Sequence, residues 1–274
     1  MKVIEFQTIG ADPEFGIKKN GISLPSYMFI DNEKGNPKKI AKGFGVVKDN
    51  LLIEGNIPPA KTKSDFKTNM HMLISLISTI LSKSNASLYF EDIITYAKEF
   101  IDTVDGQSFG CSSYVDAWDL QIKQSPSLHG NKRPIGGHIH IGYKILDKNY
   151  SNKDINPALA RAFDYFLSLP ADTVKYCKER RENYGALGSF RDTKYGFEYR
   201  SLGGFFMNLQ YLDWVYEQSM KAIEYVSDPE NLKKIMSITE PLYDHYDTLG
   251  ISLIDQVPPV DKSIIEKNIK QIAR

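Results

Sequence analysis

Four stretches of this chain alternate, residue by residue, between large apolar side chains and acids, imidazoles or an arginine. In "GADPEFGI", Asp12, Glu14 and Gly16 share one side of an extended strand, and Ala11, Pro13, Phe15 and Ile17 share the other. "LLIEGNIPP" sets Glu54 and Asn56 against Ile53 and Ile57. "RPIGGHIHIGY" sets Gly136, His138, His140 and Gly142 against Ile135, Ile139, Ile141 and Tyr143. "KYGFEYRSL" sets Gly196, Glu198 and Arg200 against Tyr195, Phe197 and Tyr199. Successive side chains of a strand point to opposite faces. Such strands therefore need cover on one face only, which is the pattern of an antiparallel sheet with helices on one side.

The polar faces also have chemistry in common. If the four strands lie side by side, Asp12, Glu14, Glu54, His138, His140, Glu198 and Arg200 converge on one surface. Carboxylates gathered in this way repel one another unless cations are present. Carboxylates with one or two imidazoles suit Mg²⁺ or Mn²⁺, and less often Zn²⁺. An arginine beside them suits a phosphate or a carboxylate, which it grips with two parallel hydrogen bonds. Each stretch alone has a plainer explanation. Alternation is common to any half-exposed strand, Glu198-Tyr199-Arg200 reads as a cross-strand ion pair, and Asp12-Pro13-Glu14 as a turn. It is the coincidence of four, three of them flanked by glycine, that points to a site.

The remaining chain mixes elements without βαβ alternation, which predicts an α+β fold. The first sixty residues read as strands and turns. Met70, Leu73, Ile74, Ile77 and Leu81 recur at helical spacing after Ser64, a candidate N-cap. Further helices are expected over "FEDIITYAKEFIDTV", "NPALARAFDYFLSLP" (stopping at Pro170), "KYCKERRENYG" (stopping at Gly185) and "LQYLDWVYEQSMKAIEYVS". "ALGSFRDTKYGFEYRSLGG" reads as a hairpin. No repeat or linker interrupts the 274 residues, which are taken as a single catalytic domain with a C-terminal helical appendage over about 257–274.

Composition removes several functions. Thirty-four basic and 34 acidic residues balance, so no net field draws the chain to nucleic acid or to an anionic membrane. No apolar run reaches the length of a membrane span, and the first residues do not form a signal peptide. The two cysteines, Cys111 and Cys177, are far apart in sequence, as in a protein of a reducing compartment. A cytoplasmic location is expected.

Taken in order, "GADPEF", "LIEGNIPPA", "GGHIHIGY" and "YGALGSFRDTKYGFEYRSLGG" resemble the motifs of phage-type carboxylate–amine ligases (type 2 amidoligases), of the glutamine synthetase and glutamate–cysteine ligase superfamily. The resemblance runs from about residue 9 to residue 204. It implies a curved antiparallel sheet whose concave face holds metals, ATP and substrate, with helices outside. By the same resemblance Glu14, Glu54, His138 and Glu198 are metal ligands, with Asp12 where a further acid often stands. His140 lies nearer the phosphates, and Arg191 and Arg200 contact phosphate or substrate. Glu198, Arg191 and Arg200 then carry catalysis. The loop "HGNKRP" offers Lys132 and Arg133 to phosphate or to a substrate carboxylate, and reads equally well as a solvated turn; Arg180 and Arg181 read as a solvated helix face. No second acid is placed near Glu54, and Ser112 and Ser113 stand where an acid is expected.

The implied activity is ATP-dependent amide or peptide bond formation through an acyl phosphate, with Mg²⁺ or Mn²⁺. The substrates are a small-molecule or peptide carboxylate and an amine. No P-loop motif is present, consistent with nucleotide held on a sheet. The alternatives are a metal-dependent hydrolase and a degenerate module that binds nucleotide and metal without turnover.

Overall fold

The computed structural model describes residues 2–32, 36–108, 113–124 and 130–259. The expected appendage, from residue 260 onward, and Cys111 with Ser112 lie outside the described residues. The strands are β1 (Ile4–Lys19), β2 (Ile22–Leu24), β3 (Lys38–Ala41), β4 (Phe44–Asp49), β5 (Leu52–Asn56), β6 (Ser87–Tyr89), β7 (Ile93–Thr95), β8 (Tyr114–Asp116), β9 (Ile122–Lys123), β10 (Lys132–Pro134), β11 (Gly137–Ile145), β12 (Ser189–Thr193) and β13 (Gly196–Tyr199). Among the described residues the main sheet runs β3-β4-β5-β1-β11-β13-β12-β8-β9, with β2 and β6 also on β1. Its described pairings are antiparallel, and it is open, since its ends, β3 and β9, do not meet. The fold is α+β. The four alternating stretches are β5, β1, β11 and β13, adjacent in that order.

Their apolar faces meet the helices. Phe15, Ile53, Ile139, Ile141, Phe197 and Tyr199 are fully buried in one core. That core includes Phe66, Met70, Leu73, Ile77 and Leu81 of helix Lys63–Ser82, together with helices Asn152–Phe163 and Leu212–Ser227. The rings of Phe163 and Phe197 pack edge to face at 5.2 Å. A fully buried side chain of this size stabilises by about 1.5–3 kcal/mol, so strand alternation fixes which face looks outward.

Four expectations are corrected. Helix Lys63–Ser82 is capped by Thr62, whose hydroxyl accepts from the Asp65 amide, rather than by Ser64. The helix expected over "FEDIITYAKEFIDTV" is instead strand β7, paired with β10, followed by two single turns. Ile94 and Tyr96 are drawn into a second small core with Leu51, Leu52, Ile101 and Ile135, and burial outweighs helix propensity there. Pro170 does not end its helix. A π-helical segment, Asp164–Ser168, precedes it and carries the chain into a last turn, Leu169–Asp172; a widened turn accommodates a residue that cannot donate an N–H. Arg180 and Arg181 are not a solvated face. Arg180 is buried and donates to the carbonyls of Ile135, Ser201 and Leu202. Arg181 pairs with Asp172 at 2.8 Å and also holds the Gly185 and Ser201 carbonyls. The helix Lys178–Asn183 that carries both ends before Gly185, as expected.

Candidate active site

The register puts the polar residues of the exposed face beside one another. Across β5 and β1, Glu54 stands opposite Glu14. Across β1 and β11, Asp12 stands opposite His138. Across β11 and β13 His140 faces Glu198, which on its other side faces Arg191 of β12. One continuous polar surface therefore crosses five strands.

At its β5 side is an acidic cluster. Glu14, Asp49 and Glu54 are all buried, and each offers a carboxylate oxygen within 4.8 Å of the others. Asp49 is the second acid that the sequence analysis did not place. The signal was the hairpin itself: Val47 pairs with Glu54 and Asp49 with Leu52, so alternation sets Asp49 on the same face as Glu54. Glu14 is held by the Gly136 amide, which donates to Oε2 at 2.5 Å, and by the Tyr184 hydroxyl, which donates to Oε1 at 2.9 Å. An all-oxygen donor set at this spacing fits a hard divalent cation such as Mg²⁺ or Mn²⁺.

His138 lies between that cluster and Glu198. Its Nδ1 is 3.6 Å from Glu198 Oε1, and its Nε2 is 3.9 Å from Glu14 Oε1 and 2.8 Å from the Tyr184 hydroxyl. Neither Tyr184 nor Tyr195 was anticipated. Tyr184 comes from the end of the helix Lys178–Asn183, outside the sheet pattern. Tyr195 was assigned with Phe197 to the apolar side, but it belongs to the two-residue turn between Thr193 and Gly196. Gly196 takes φ +154°, and a Cβ there would lie 2.1 Å from the Ile141 carbonyl oxygen, so only glycine allows this turn so close to β11. Tyr195 is half exposed, and its hydroxyl lies 2.6 Å from His140 Nδ1.

His140 Nε2 is 3.0 Å from Asp12 Oδ2. Burial works against the imidazolium, but the hydrogen bond and charge of Asp12, helped by Glu198, prevail and raise His140 above its ordinary range. Burial, with the charges of Asp12 and Glu198, pushes the Tyr195 phenol up to about 12.

At the β13 side the acid is matched by base. Arg200 Nη1 donates to Glu198 Oε1, and Arg191 Nη1 is 3.8 Å from Glu198 Oε2. Arg191 is also steadied by the Ser113 carbonyl. The surface thus brings together Asp12, Glu14, Glu54, His138, His140, Arg191, Glu198 and Arg200, and adds Asp49, Tyr184 and Tyr195. Lys132 and Arg133 lie elsewhere. Arg133 is 3% exposed and is spent on the Gly106, Gly130 and Lys132 carbonyls and on Asn50 Oδ1. It clamps loops, and its expected phosphate contact is withdrawn. Lys132 pairs with Glu179 at the surface, 2.8 Å away.

No curated protein matches the chain in sequence. Among solved structures, one described as a novel glutamine synthase homolog is similar at 11% identity with a TM-score of 0.40, over 97% of this chain and 67% of that one. Among the described residues no helix is long and apolar enough to cross a membrane. Residues 120–233 match the family model for the phage phiEco32-like COOH.NH2 ligase, type 2. The matched segment holds His138, His140, Tyr184, Arg191, Glu198 and Arg200, while Asp12, Glu14, Asp49 and Glu54 join them through strand pairing. Over residues 120–233 the chain is thus similar to the type 2 carboxylate–amine ligases, the family whose motifs its sequence resembles.

Proposed function

We propose that this protein is an ATP-dependent carboxylate–amine ligase that forms an amide or peptide bond through an acyl phosphate. The observation that carries the reading is the buried cluster of Glu14, Asp49 and Glu54 on the same sheet face as His138, Glu198, Arg191 and Arg200. A carboxylate is a poor acyl donor at neutral pH. In this reading a substrate carboxylate oxygen attacks the γ-phosphorus and ADP leaves. The amine then attacks the acyl carbon and phosphate leaves. When bound, Mg²⁺ or Mn²⁺ neutralises phosphate charge during the transfer. Glu14, Asp49, Glu54, His138 and Glu198 hold the cations. Arg191 and Arg200 balance charge on the phosphoryl oxygens, and Glu198 keeps both guanidinium groups aimed into the site. Asp12 and His140 sit beside this basin, Asp12 as a further acid for the cations and His140 as the histidine nearer the phosphates. The substrates are a small-molecule or peptide carboxylate and an amine, used in the cytoplasm where ATP is supplied.

The test is ADP and phosphate release by the full chain with Mg²⁺ and ATP against mixtures of amino acids, polyamines and short peptides. Release should depend on both a carboxylate and an amine, and Glu198→Gln should abolish it while the fold survives. ATP should bind only with the divalent cation. Equal ATP affinity without Mg²⁺ would overturn the reading, and substrate hydrolysis with no ATP present would replace it with that of a hydrolase.

A further inference from the structure

Tyr184 bridges the two halves of the metal-holding surface from outside the sheet. Its hydroxyl carries one proton and lies within hydrogen-bond reach of Glu14 Oε1, at 2.9 Å, and of His138 Nε2, at 2.8 Å. An ionised carboxylate only accepts hydrogen bonds, so the proton goes to Glu14. The phenol oxygen then accepts from His138, which requires the hydrogen on Nε2. A neutral imidazole has a single N–H, which leaves the lone pair on Nδ1. Nδ1 is the nitrogen that faces Glu198 Oε1, 3.6 Å away. That separation is too long for a hydrogen bond and suits two ligand atoms of one cation, each about 2.0–2.2 Å from the ion.

We propose that Tyr184 is a positioning residue that fixes the His138 tautomer, so that His138 offers Nδ1, and not Nε2, to a divalent cation shared with Glu198. This rests on the metal-dependent reading above and adds to it the nitrogen used and the residue that selects it. Hydrogen bonds made by the second nitrogen of a metal-binding histidine govern its orientation and basicity.

The surroundings hold the tyrosine to this task. The Arg180 guanidinium lies 5.7 Å from the centre of its ring, and Arg180 is itself fixed on three backbone carbonyls. Gly185 follows at φ +72°, turning the chain away at once. On the imidazole side the neighbour is Gly136, where a Cβ would stand 2.4 Å from His138 Nε2 and 3.1 Å from the Tyr184 ring. The first glycine of "GGHIH" therefore makes room for the histidine–tyrosine contact, and its amide donates to the same Glu14 carboxylate.

The experiment uses the full, ¹⁵N-labelled, metal-free chain. Long-range proton–nitrogen spectra report the tautomer of His138 on the alkaline side of its titration, with its signals assigned through His138→Gln. The wild type should show the Nε2–H form. Tyr184→Phe should lose that preference, and its Mn²⁺ affinity by titration calorimetry should fall about 10–100-fold. An Nδ1–H tautomer in the wild type would overturn the proposal, and so would a Phe variant with unchanged tautomer and Mn²⁺ affinity. If that variant does not fold, the wild-type spectrum alone decides. Neither readout uses ATP or turnover, so a failed ligase assay leaves this result standing. Conversely, the wrong tautomer in an active ligase would sink only the role of Tyr184.

Discussion

Buried acids lie on both faces of the same sheet, and the two faces treat them differently. On the helical side Asp164 is fully enclosed, accepting from the Tyr199 hydroxyl at 2.6 Å and from Trp118 Nε1 at 2.7 Å. Burial outweighs these donors and pushes its carboxyl up to about 7. On the other side Glu14, Asp49 and Glu54 are also buried, but together. A lone enclosed acid among neutral donors can relieve its burial by taking one proton. Three carboxylates in one small volume bring up to three negative charges together, of which one proton removes one and a divalent cation offsets two. Strand β13 serves both faces, with Tyr199 anchored to Asp164 and its neighbour Glu198 turned to the site. The first acid is a structural element, and the second group is what we read as the metal-holding half of a ligase.

The largest effect should come from removing charge in the cluster. Glu54→Gln keeps the shape and should lower phosphate release about 10²–10³-fold, as expected when several kcal/mol of transition-state charge stabilisation is lost. Circular dichroism should show an unchanged fold. Full turnover in this variant would put Glu54 in the same structural class as Asp164.

Asp164 should betray itself through pH. Its folded-state pKa is raised above the unfolded value, so its neutral form favours folding. That contribution is complete below about pH 4 and is lost as pH rises through about 7, at about 1.4 kcal/mol per unit of difference. The stability of the wild type relative to Asp164→Asn should therefore fall by a few kcal/mol between those limits in urea titrations. A constant difference would show that Asp164 binds no proton on folding.

The cluster should respond to cation in the way Asp164 responds to proton. Mg²⁺ at about 100 times its Kd should stabilise the wild type by about 2.7 kcal/mol. Asp49→Asn should lose much of that gain. It should also be more stable than the wild type when both are metal-free, because a like charge has been removed. Thermal melting with and without Mg²⁺ reads both directions, and a metal-free variant no more stable than the wild type would show that the three carboxylates do not strain one another.

How much of this was legible in the sequence follows from the range of each signal. Strand alternation has a period of two residues, so it located Glu14, Glu54, His138 and Glu198 and the core face beneath them. Asp49 needed a pairing register as well as a period, and that register depends on a two-residue turn at Asn50-Leu51. Tyr195 was misread because alternation was extended one residue past the end of β13. Tyr184 belongs to no strand, and its place is set by Arg180 and Arg181, whose burial on backbone carbonyls leaves no periodic trace. The same blindness made Arg133 look like a phosphate contact: a charge in a loop reads alike whether it faces solvent or clamps the chain.

The smallest effect separates Lys132 from its neighbour. Both follow the loop "HGN", but Lys132 makes one exposed ion pair with Glu179, and both partners are nearly half exposed. Such pairs contribute about 0–1 kcal/mol and are screened by salt. Lys132→Ala should change stability within that range and leave phosphate release unaltered. Arg133 is itself buried and holds the carbonyls of Gly106, Gly130 and Lys132, the first of them in a buried bond, so Arg133→Ala should destabilise by about 1–3 kcal/mol, the range for leaving a buried polar group without its partner. A fall in turnover for Lys132→Ala at unchanged stability would return Lys132 to the phosphate site and extend the basic side of the active face beyond Arg191 and Arg200.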